Sequence, residues 1–153
     1  NSALAATLSM ETVAARGHRF EEHVEHLPIV LGNYTEIVDG TSTEYDIETF
    51  NHGSATRKAA AIFTELGLGV DLDRARNGRK IRAGKGTMRG RVHKTPKSIL
   101  LVVKEKAGLA QAARNLPGVD VVAAKDLCAE DLAPGGDVGR LTVFTKAALE
   151  AMN

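Results

Sequence analysis

The chain has 153 residues, of which 43% are hydrophobic and only 4% aromatic, so it can bury one ordinary core built mainly from aliphatic side chains. Its single cysteine, Cys128, excludes an internal disulfide framework and favours a reducing compartment, and we expect it to be a small, partly buried apolar residue. The formal net charge is +1, no apolar run approaches the length of a membrane span and no signal peptide is visible, so we expect neither a membrane protein nor a secreted one.

The first third of the chain predicts a helix, a strand and a polar connection. The helix covers residues 3–16, with Ser2 as its N-cap and Gly17 at its end. Residues 27–31 are apolar and predict a short strand with a proline near its start. Residues 33–53 are polar and have no clear period, and we interpret them as a connection.

A second helix, with a clear apolar face, is predicted at residues 54–66. Its apolar side chains recur at the i, i+3, i+4 and i+7 positions, and they are Ala59, Ile62, Phe63 and Leu66. Ser54 is the expected N-cap and Gly67 ends the helix. A short strand is then predicted at Val70–Asp73.

The last third of the chain alternates strands with helices. Strands are predicted at residues 99–103, 119–123 and 141–145, and helices at residues 107–115 and 146–152. The first of these strands is apolar without alternation, which is typical of a strand covered on both faces. Residues 125–139 are interpreted as a turn-rich link, and Thr145 is the expected cap of the last helix.

Strands that alternate with helices through short loops predict βαβ units. We therefore expect an α/β fold in which a mostly parallel sheet carries helices on both faces, a Rossmann-like three-layer sandwich. Neither half of the chain is large enough to bury such a sheet alone, so we expect a single domain over residues 1–153 with a basic loop at residues 74–97.

The distribution of charge is the most informative feature of the sequence. Residues 74–97, which we call the basic segment, contain ten Lys or Arg side chains and no carboxylate, whereas residues 1–73 carry a net charge of about −8 and residues 98–153 about −1. Cations gathered in one block repel each other unless an anion neutralises them. The pattern therefore favours an extended polyanion as the partner.

Glycines alternate with long cations at residues 82–91, the centre of the basic segment. Glycine lets a backbone approach a phosphate closely, arginine offers a planar fork of donors, and lysine offers a mobile charge. The segment has no Phe, Tyr or Trp on which unpaired bases could stack, which favours recognition of the backbone and shape of a folded RNA. The candidate RNA-binding residues are Arg79, Lys80, Arg82, Gly84, Lys85, Gly86, Arg89, Gly90, Arg91, Lys94 and Lys97.

Three other motifs are better explained as ordinary structure. Residues 84–87 read Gly-Lys-Gly-Thr but lack the spacing of a phosphate-binding loop, which requires Gly, four residues and then Gly-Lys-Ser/Thr. The glycines of residues 135–139 precede a predicted strand, whereas a dinucleotide fingerprint follows one. His18, His23 and His26 lie among glutamates without the spacing of a zinc site, which favours a solvated acidic loop.

Two rival classes of function stay open on the residues alone. One is a nucleotide-dependent enzyme on a doubly wound α/β fold, which would need an acid or base at the carboxyl ends of its strands and would bind ATP or a dinucleotide. The other is a protein–protein interaction module whose acidic residues 21–48 supply the docking face. A protein partner, unlike an RNA, would survive nuclease treatment of an extract.

Four stretches of the chain, taken in order, point to one known family. They are Ser2-Ala3-Leu4-Ala5-Ala6 with Gly17-His18, the basic run from Lys80 to Arg91, the turn Ala113-Arg114-Asn115-Leu116-Pro117-Gly118, and the run Leu132–Gly136 with Gly139–Thr145. Together they resemble the ribosomal protein L-four family of the large subunit, in its archaeal and eukaryotic form. The resemblance covers nearly the whole chain except about residues 33–53.

The resemblance implies a structural, non-enzymatic protein of the cytoplasmic ribosome that binds large-subunit ribosomal RNA, contacts neighbouring ribosomal proteins and supports subunit assembly. It implies no cofactor, no metal, no membrane and no small-molecule substrate. In this family a first strand and a long basic extension toward the peptide exit tunnel precede the first helix seen here. We therefore expect this chain to be the C-terminal part of a longer one, and no residue is assigned to the tunnel.

Overall fold

A computed structural model describes residues 1–32, 34–38, 41–45 and 55–152. The strands are β1 (Ile29–Leu31), β2 (Tyr34–Val38), β3 (Thr41–Tyr45), β4 (Lys80–Ile81), β5 (His93–Lys94), β6 (Leu100–Val103), β7 (Asp120–Ala123) and β8 (Thr142–Thr145). The α-helices are α1 (Ser2–Ala6), α2 (Met10–Ala15), α3 (Ala55–Glu65), α4 (Gly69–Asn77), α5 (Lys85–Met88), α6 (Leu109–Ala113), α7 (Ala129–Leu132) and α8 (Lys146–Met152). Short 3₁₀ turns lie at Ala124–Asp126 and Pro134–Gly136.

The central sheet has four strands in the order β1-β8-β6-β7, and every neighbouring pair is parallel. Its register places Leu101 of β6 beside Val121 of β7 and Val143 of β8. The two remaining pairs, β2 with β3 and β4 with β5, are separate antiparallel ribbons. The prediction of a mostly parallel sheet is confirmed.

Helices cover both faces of this sheet, which explains why β6 is apolar without alternation. Leu101 and Val103 point into the larger core, where they meet side chains of α2, α3, α4 and α6. Leu100 and Val102 point into the smaller core, together with side chains of α1, α7 and α8. Successive side chains of a strand face opposite ways, so a strand between two helical layers is apolar at every position. The three-layer prediction is confirmed.

Several predicted elements at the C-terminal end are confirmed, α8 with the predicted bounds and the others with shorter bounds. The strands β6, β7 and β8 and the helices α6 and α8 lie where the sequence places them. Thr145 caps α8, because its hydroxyl oxygen accepts the backbone N–H of Ala148 at 3.2 Å. The link at residues 125–139 contains the short helix α7 as well as turns.

The N-terminal helix predicted at residues 3–16 is divided into α1 and α2. The break begins at Thr7, and α2 starts anew with Ser9 as its N-cap, whose hydroxyl oxygen accepts the backbone N–H of Thr12. The Thr12 hydroxyl in turn donates to the carbonyl of Ala6 at 2.6 Å. These side-chain bonds compete with helical ones, which is why a continuous helix was the wrong prediction. Gly17 follows α2 with φ of +94°, as expected.

Two further predictions need correction. Val70–Asp73 is not a strand but lies within α4, where the buried residues Asp71, Leu72 and Ala75 follow helical spacing. Residues 33–53 are not a plain connection, because β2 and β3 form an antiparallel ribbon there. The predicted N-cap Ser54 falls outside the described residues. No helix in the described part of the chain is long and apolar enough to cross a membrane.

Candidate nucleic-acid interface

Most of the basic segment is a folded ribbon rather than a plain loop, and its first residues lie in α4. Strands β4 and β5 pair antiparallel, with Lys80 opposite Lys94 and Ile81 opposite His93. The chain between them turns through the single helical turn α5. We call residues 79–94 the basic ribbon.

Hydrogen bonds inside the basic ribbon fix the path of its turn. The backbone N–H of Arg82 donates to the carbonyl of Val92 at 2.8 Å, which extends the pairing beyond the two strands. The Nε of Arg82 donates to the carbonyl of His93 at 3.1 Å, so the guanidinium is held at its base. The backbone N–H of Arg91 donates to the carbonyl of Gly86 at 3.0 Å. The cations therefore project from a defined scaffold.

The basic ribbon concentrates positive charge on solvent-exposed side chains. Its seven cations are Arg79, Lys80, Arg82, Lys85, Arg89, Arg91 and Lys94, and all are exposed. None of them forms a salt bridge with a carboxylate of the described residues. Like charges placed directly opposite in a ladder are destabilising, so the Lys80–Lys94 pair is unfavourable in the free protein.

Two of the three candidate glycines are required by the backbone of the ribbon, and the third is not. Gly84 and Gly90 have φ of +74° and +75°, which side chains with a Cβ rarely adopt. Gly86 lies inside α5 without positive φ, and a Cβ there would come no closer than 3.5 Å to another residue, the Cδ of Arg82. The fold therefore explains Gly84 and Gly90 but leaves Gly86 unexplained.

A concave pocket of about 460 Å³ opens on the basic ribbon, and we call it the ribbon pocket. Its lining is Lys80, Ile81, Arg82, Ala83, Gly86 and Lys94. A cavity of similar volume, about 470 Å³, lies beside β7 and is lined partly by Lys97, Asp120 and Asp131. The difference between them is chemical, because carboxylates line the second cavity and no acidic side chain lines the first.

Large apolar side chains are also exposed on the basic ribbon. Ile81 is 69% exposed and Met88 is 86% exposed. Single exposed apolar residues are common on protein surfaces, but here they lie among cations. Ile81 and Met88 can therefore make apolar contacts with a molecule that binds the ribbon, in addition to the ionic contacts of the cations.

A buried carboxylate, Asp71 of α4, anchors the first end of the basic segment. It accepts hydrogen bonds from Nδ1 of His18 at 3.1 Å, the backbone N–H of Arg19 at 2.9 Å, Nε of Arg74 at 2.8 Å and the hydroxyl of Ser98 at 2.9 Å. Burial alone would raise the pKa of Asp71, but the hydrogen bonds from His18, Arg74 and Arg19 outweigh it and hold the pKa well below its usual range. Asp71 is thus a charged centre on which three parts of the chain converge.

The same network reaches the other end of the basic segment. The Arg74 guanidinium donates to the carbonyl of Lys97 at 2.7 Å, so the residue that opens the segment binds the residue that closes it. Gly118 packs against this junction, since its carbonyl accepts the backbone N–H of Ser98 at 2.8 Å and a Cβ on it would collide with the carbonyl oxygen of Pro96. The two ends of the basic segment are therefore held together at the edge of the core.

A second ionic network neutralises Lys97. Its ammonium donates to Asp120 at 2.6 Å, and the same carboxylate oxygen accepts from the Arg140 guanidinium at 2.6 Å. Arg140 is 1% exposed and also donates to the backbone carbonyls of Asp131 and Ser98. Burial would raise the pKa of Asp120, but the bonds from Lys97 and Arg140 lower it. Of the eleven candidate residues, Lys97 alone has an ion-pair partner among the described residues.

Sequence reasoning missed the residues of these networks. His18 was assigned to a solvated acidic loop, but it is buried against Asp71; His23 and His26 are exposed as expected. Cys128 is exposed rather than partly buried, and it occupies the N-cap position of α7, where its thiol bonds to Asp131. No cluster in the described residues has three side chains suited to a metal ion. Charge pattern alone gave no signal for the contacts of Asp71 with His18 and Ser98, or of Arg140 with Asp120, because these partners are 53, 27 and 20 residues apart.

Comparison with known proteins adds independent information. A model of the ribosomal protein L4/L1 family matches residues 1–153. The large ribosomal subunit protein uL4 of Methanocaldococcus jannaschii is 48% identical over 151 residues, covering 99% of this chain and 53% of that protein. The uL4 proteins of Methanopyrus kandleri and Halobacterium salinarum strain R1 are 46% and 41% identical, covering 99% and 97% of this chain and 52% and 53% of their own lengths. The chain thus spans about half the length of these curated relatives.

Proposed function

This chain belongs to the ribosomal protein L4/L1 family, and we propose that it is a structural constituent of the large ribosomal subunit that binds ribosomal RNA through the basic ribbon. The proposed role is non-catalytic and supports assembly of the subunit. Its proposed partners are large-subunit ribosomal RNA and neighbouring ribosomal proteins, and its location is the cytoplasmic ribosome. Family membership supports the assignment to the subunit, and the geometry of the ribbon supports the RNA contact.

The observation that carries the RNA contact is the unpaired charge of the basic ribbon. Seven exposed cations lie on one short scaffold and pair with no described carboxylate, and two of them, Lys80 and Lys94, are directly opposed. An ordinary solvated surface interleaves charges of both signs, which lowers self-repulsion. A phosphate backbone along the ribbon would remove this repulsion and release counterions.

The ribbon offers a surface suited to shape and backbone recognition. Its cations project from strands and a helical turn, and it has no Phe, Tyr or Trp for base stacking. Lys97 contributes less than the sequence suggested, because Asp120 already neutralises its ammonium. If all seven cations contacted phosphates, a plot of the logarithm of the binding constant against the logarithm of the salt concentration would have a slope of about −5 to −6, which is the steepest slope expected.

The test is binding of the purified protein to a large-subunit ribosomal RNA fragment as a function of salt. The variant Arg82→Glu with Lys85→Glu reverses two ribbon charges, and Lys104→Glu with Lys106→Glu reverses two charges outside it. We expect the ribbon variant to bind far more weakly and to lose about two units of the salt slope. Equal losses from the two double variants would remove the case for a localised RNA site.

A further inference from the structure

We infer that the ribbon pocket binds one phosphate group of the bound RNA, and that this phosphate lies against the backbone of Gly86. This inference rests on the proposed function and deepens it, because it names the single position where the nucleic-acid backbone comes closest to the protein. Three features of the free protein meet at this pocket. A phosphate in the pocket would relieve the first, pair with the second and explain the third.

The first feature is the opposition of Lys80 and Lys94, whose Cα atoms pair across the β4–β5 ladder. Both residues line the ribbon pocket. Ammonium groups on directly opposed residues repel each other across a ladder. An anion between them would convert that repulsion into two attractive contacts.

The second feature is the absence of acidic side chains around Arg82. Its Nε is held by the carbonyl of His93 at 3.1 Å, which orients the guanidinium without neutralising it. The six residues that line the pocket include three cations and no carboxylate. A guanidinium that is oriented but unpaired is suited to the oxygens of a phosphate, which accept several hydrogen bonds at once.

The third feature is the glycine at position 86. Glycine is disfavoured relative to alanine inside a helical turn, and neither φ nor crowding requires it here, since a Cβ would make only ordinary contact with Arg82 at 3.5 Å. Gly86 lines the pocket, so a Cβ on it would occupy space in the pocket instead of space in the protein. Close approach of a ligand to the backbone explains the glycine.

The experiment compares Gly86→Ala with Gly32→Ala, a matched control. Gly32 is exposed, has no positive φ and would have nothing within 4 Å of an added Cβ. We expect Gly86→Ala to keep or raise the melting temperature and to weaken RNA binding by about tenfold, the loss of roughly one charge-assisted contact. The salt slope should stay unchanged, because no charge is removed. Gly32→Ala should bind as the unmodified protein does.

The outcomes separate this inference from the proposed function. If Arg82→Glu with Lys85→Glu weakens RNA binding no more than the control double variant does, the proposal that the basic ribbon binds RNA is itself wrong. If that variant loses binding while Gly86→Ala binds RNA as tightly as the unmodified protein, only the inference that the ribbon pocket binds a phosphate is wrong. A Gly86→Ala protein that loses its melting transition would also overturn the inference, because the inference requires that the fold tolerate alanine there.

A titration with inorganic phosphate distinguishes the RNA backbone from a free anion as the source of the phosphate. The amide resonance of Gly86 is followed by NMR, first with phosphate alone and then with RNA added. Displacement of phosphate by RNA at this amide supports the inference. Phosphate that stays bound at Gly86 while RNA binds elsewhere would overturn it, since the pocket would then serve a small anion.

Discussion

Replacing Asp71 with asparagine tests whether the buried network beneath the basic ribbon holds the fold together. Asp71 has no exposed surface and accepts hydrogen bonds from four donors on three parts of the chain, at His18, Arg19, Arg74 and Ser98. Asparagine has nearly the same size but carries no charge, and its amide nitrogen is a donor where an acceptor is needed. The substitution therefore leaves Arg74 without its ionic partner and at least one other donor unsatisfied.

The expected cost follows from what the carboxylate does in the structure. Removing one partner of a buried ionic network costs about 3–5 kcal/mol, against a total stability of about 5–15 kcal/mol for a domain of ordinary size. The matched control is Asp73→Asn, which removes the same charge from an exposed position of the same helix. We expect the control to change stability by less than about 0.5 kcal/mol. Urea denaturation at pH 7 measures both.

The pH dependence gives a second, independent readout. The pKa of folded Asp71 lies below its usual range, whereas the unfolded chain has an ordinary aspartate pKa of about 3.9. A lowered folded-state pKa stabilises the protein at pH values above the unfolded pKa, and this stabilisation is lost as the pH falls toward the folded pKa. The difference in unfolding free energy between the unmodified protein and Asp71→Asn should therefore be constant above about pH 5 and shrink below about pH 4.

Two results would refute this reasoning. If Asp71→Asn and Asp73→Asn destabilised the protein equally, the buried network would contribute nothing specific. If the difference between the unmodified protein and Asp71→Asn stayed constant down to pH 3, the pKa of Asp71 would be the same in the folded and unfolded states. Either result would show that Asp71 does not anchor the basic segment.

Two further substitutions test the rest of this framework. Gly118→Ala should destabilise the protein by about 2–4 kcal/mol, because its φ is +75° and the added Cβ would collide with the carbonyl oxygen of Pro96. The control Gly135→Ala has a similar φ of +79° but open space around it, and it should cost only about 1–2 kcal/mol. Equal shifts in melting temperature from the two substitutions would contradict the predicted collision. Arg140→Met should cost about 1–3 kcal/mol by chemical denaturation, since it removes the donor to the carbonyls of Asp131 and Ser98 while Asp120 keeps Lys97 as a partner, and a stability equal to that of the unmodified protein would show that the network is dispensable.

The sequence was sufficient to predict the central sheet because its strands have only one way to bury their side chains. An apolar run such as Leu100–Val103 fits a strand between two helical layers, and glycines and prolines mark the turns on either side. Helix α3 was equally clear, because Ile62 and Phe63 belong to a single apolar stripe. Local pattern and tertiary packing agree in these elements.

Local pattern failed where a distant partner decides the structure. Val70–Asp73 looked extended, but it lies in a helix, where Asp71 is buried against His18, Arg74 and Ser98. The break between α1 and α2 depends on hydroxyl bonds to backbone groups, which periodicity does not report. Ser98 and His18 lie 27 and 53 residues from Asp71, so the pattern of neighbouring residues in the sequence does not indicate these contacts.

The charge pattern identified the basic segment but could not assign separate roles to its cations. Arg74 and Lys97, at its two ends, are neutralised by Asp71 and Asp120, carboxylates that lie outside the segment. These pairs bring the ends of the segment to the edge of the core. Of the cations between them, Arg76 lies in α4 and the other seven lie on the basic ribbon, where they have no ion-pair partner among the described residues. A surface lysine with a carboxylate partner contributes little to the attraction of a polyanion, because its charge is already balanced. The ends of the segment therefore fix the position of the ribbon, and the charge that we propose for RNA binding lies between them.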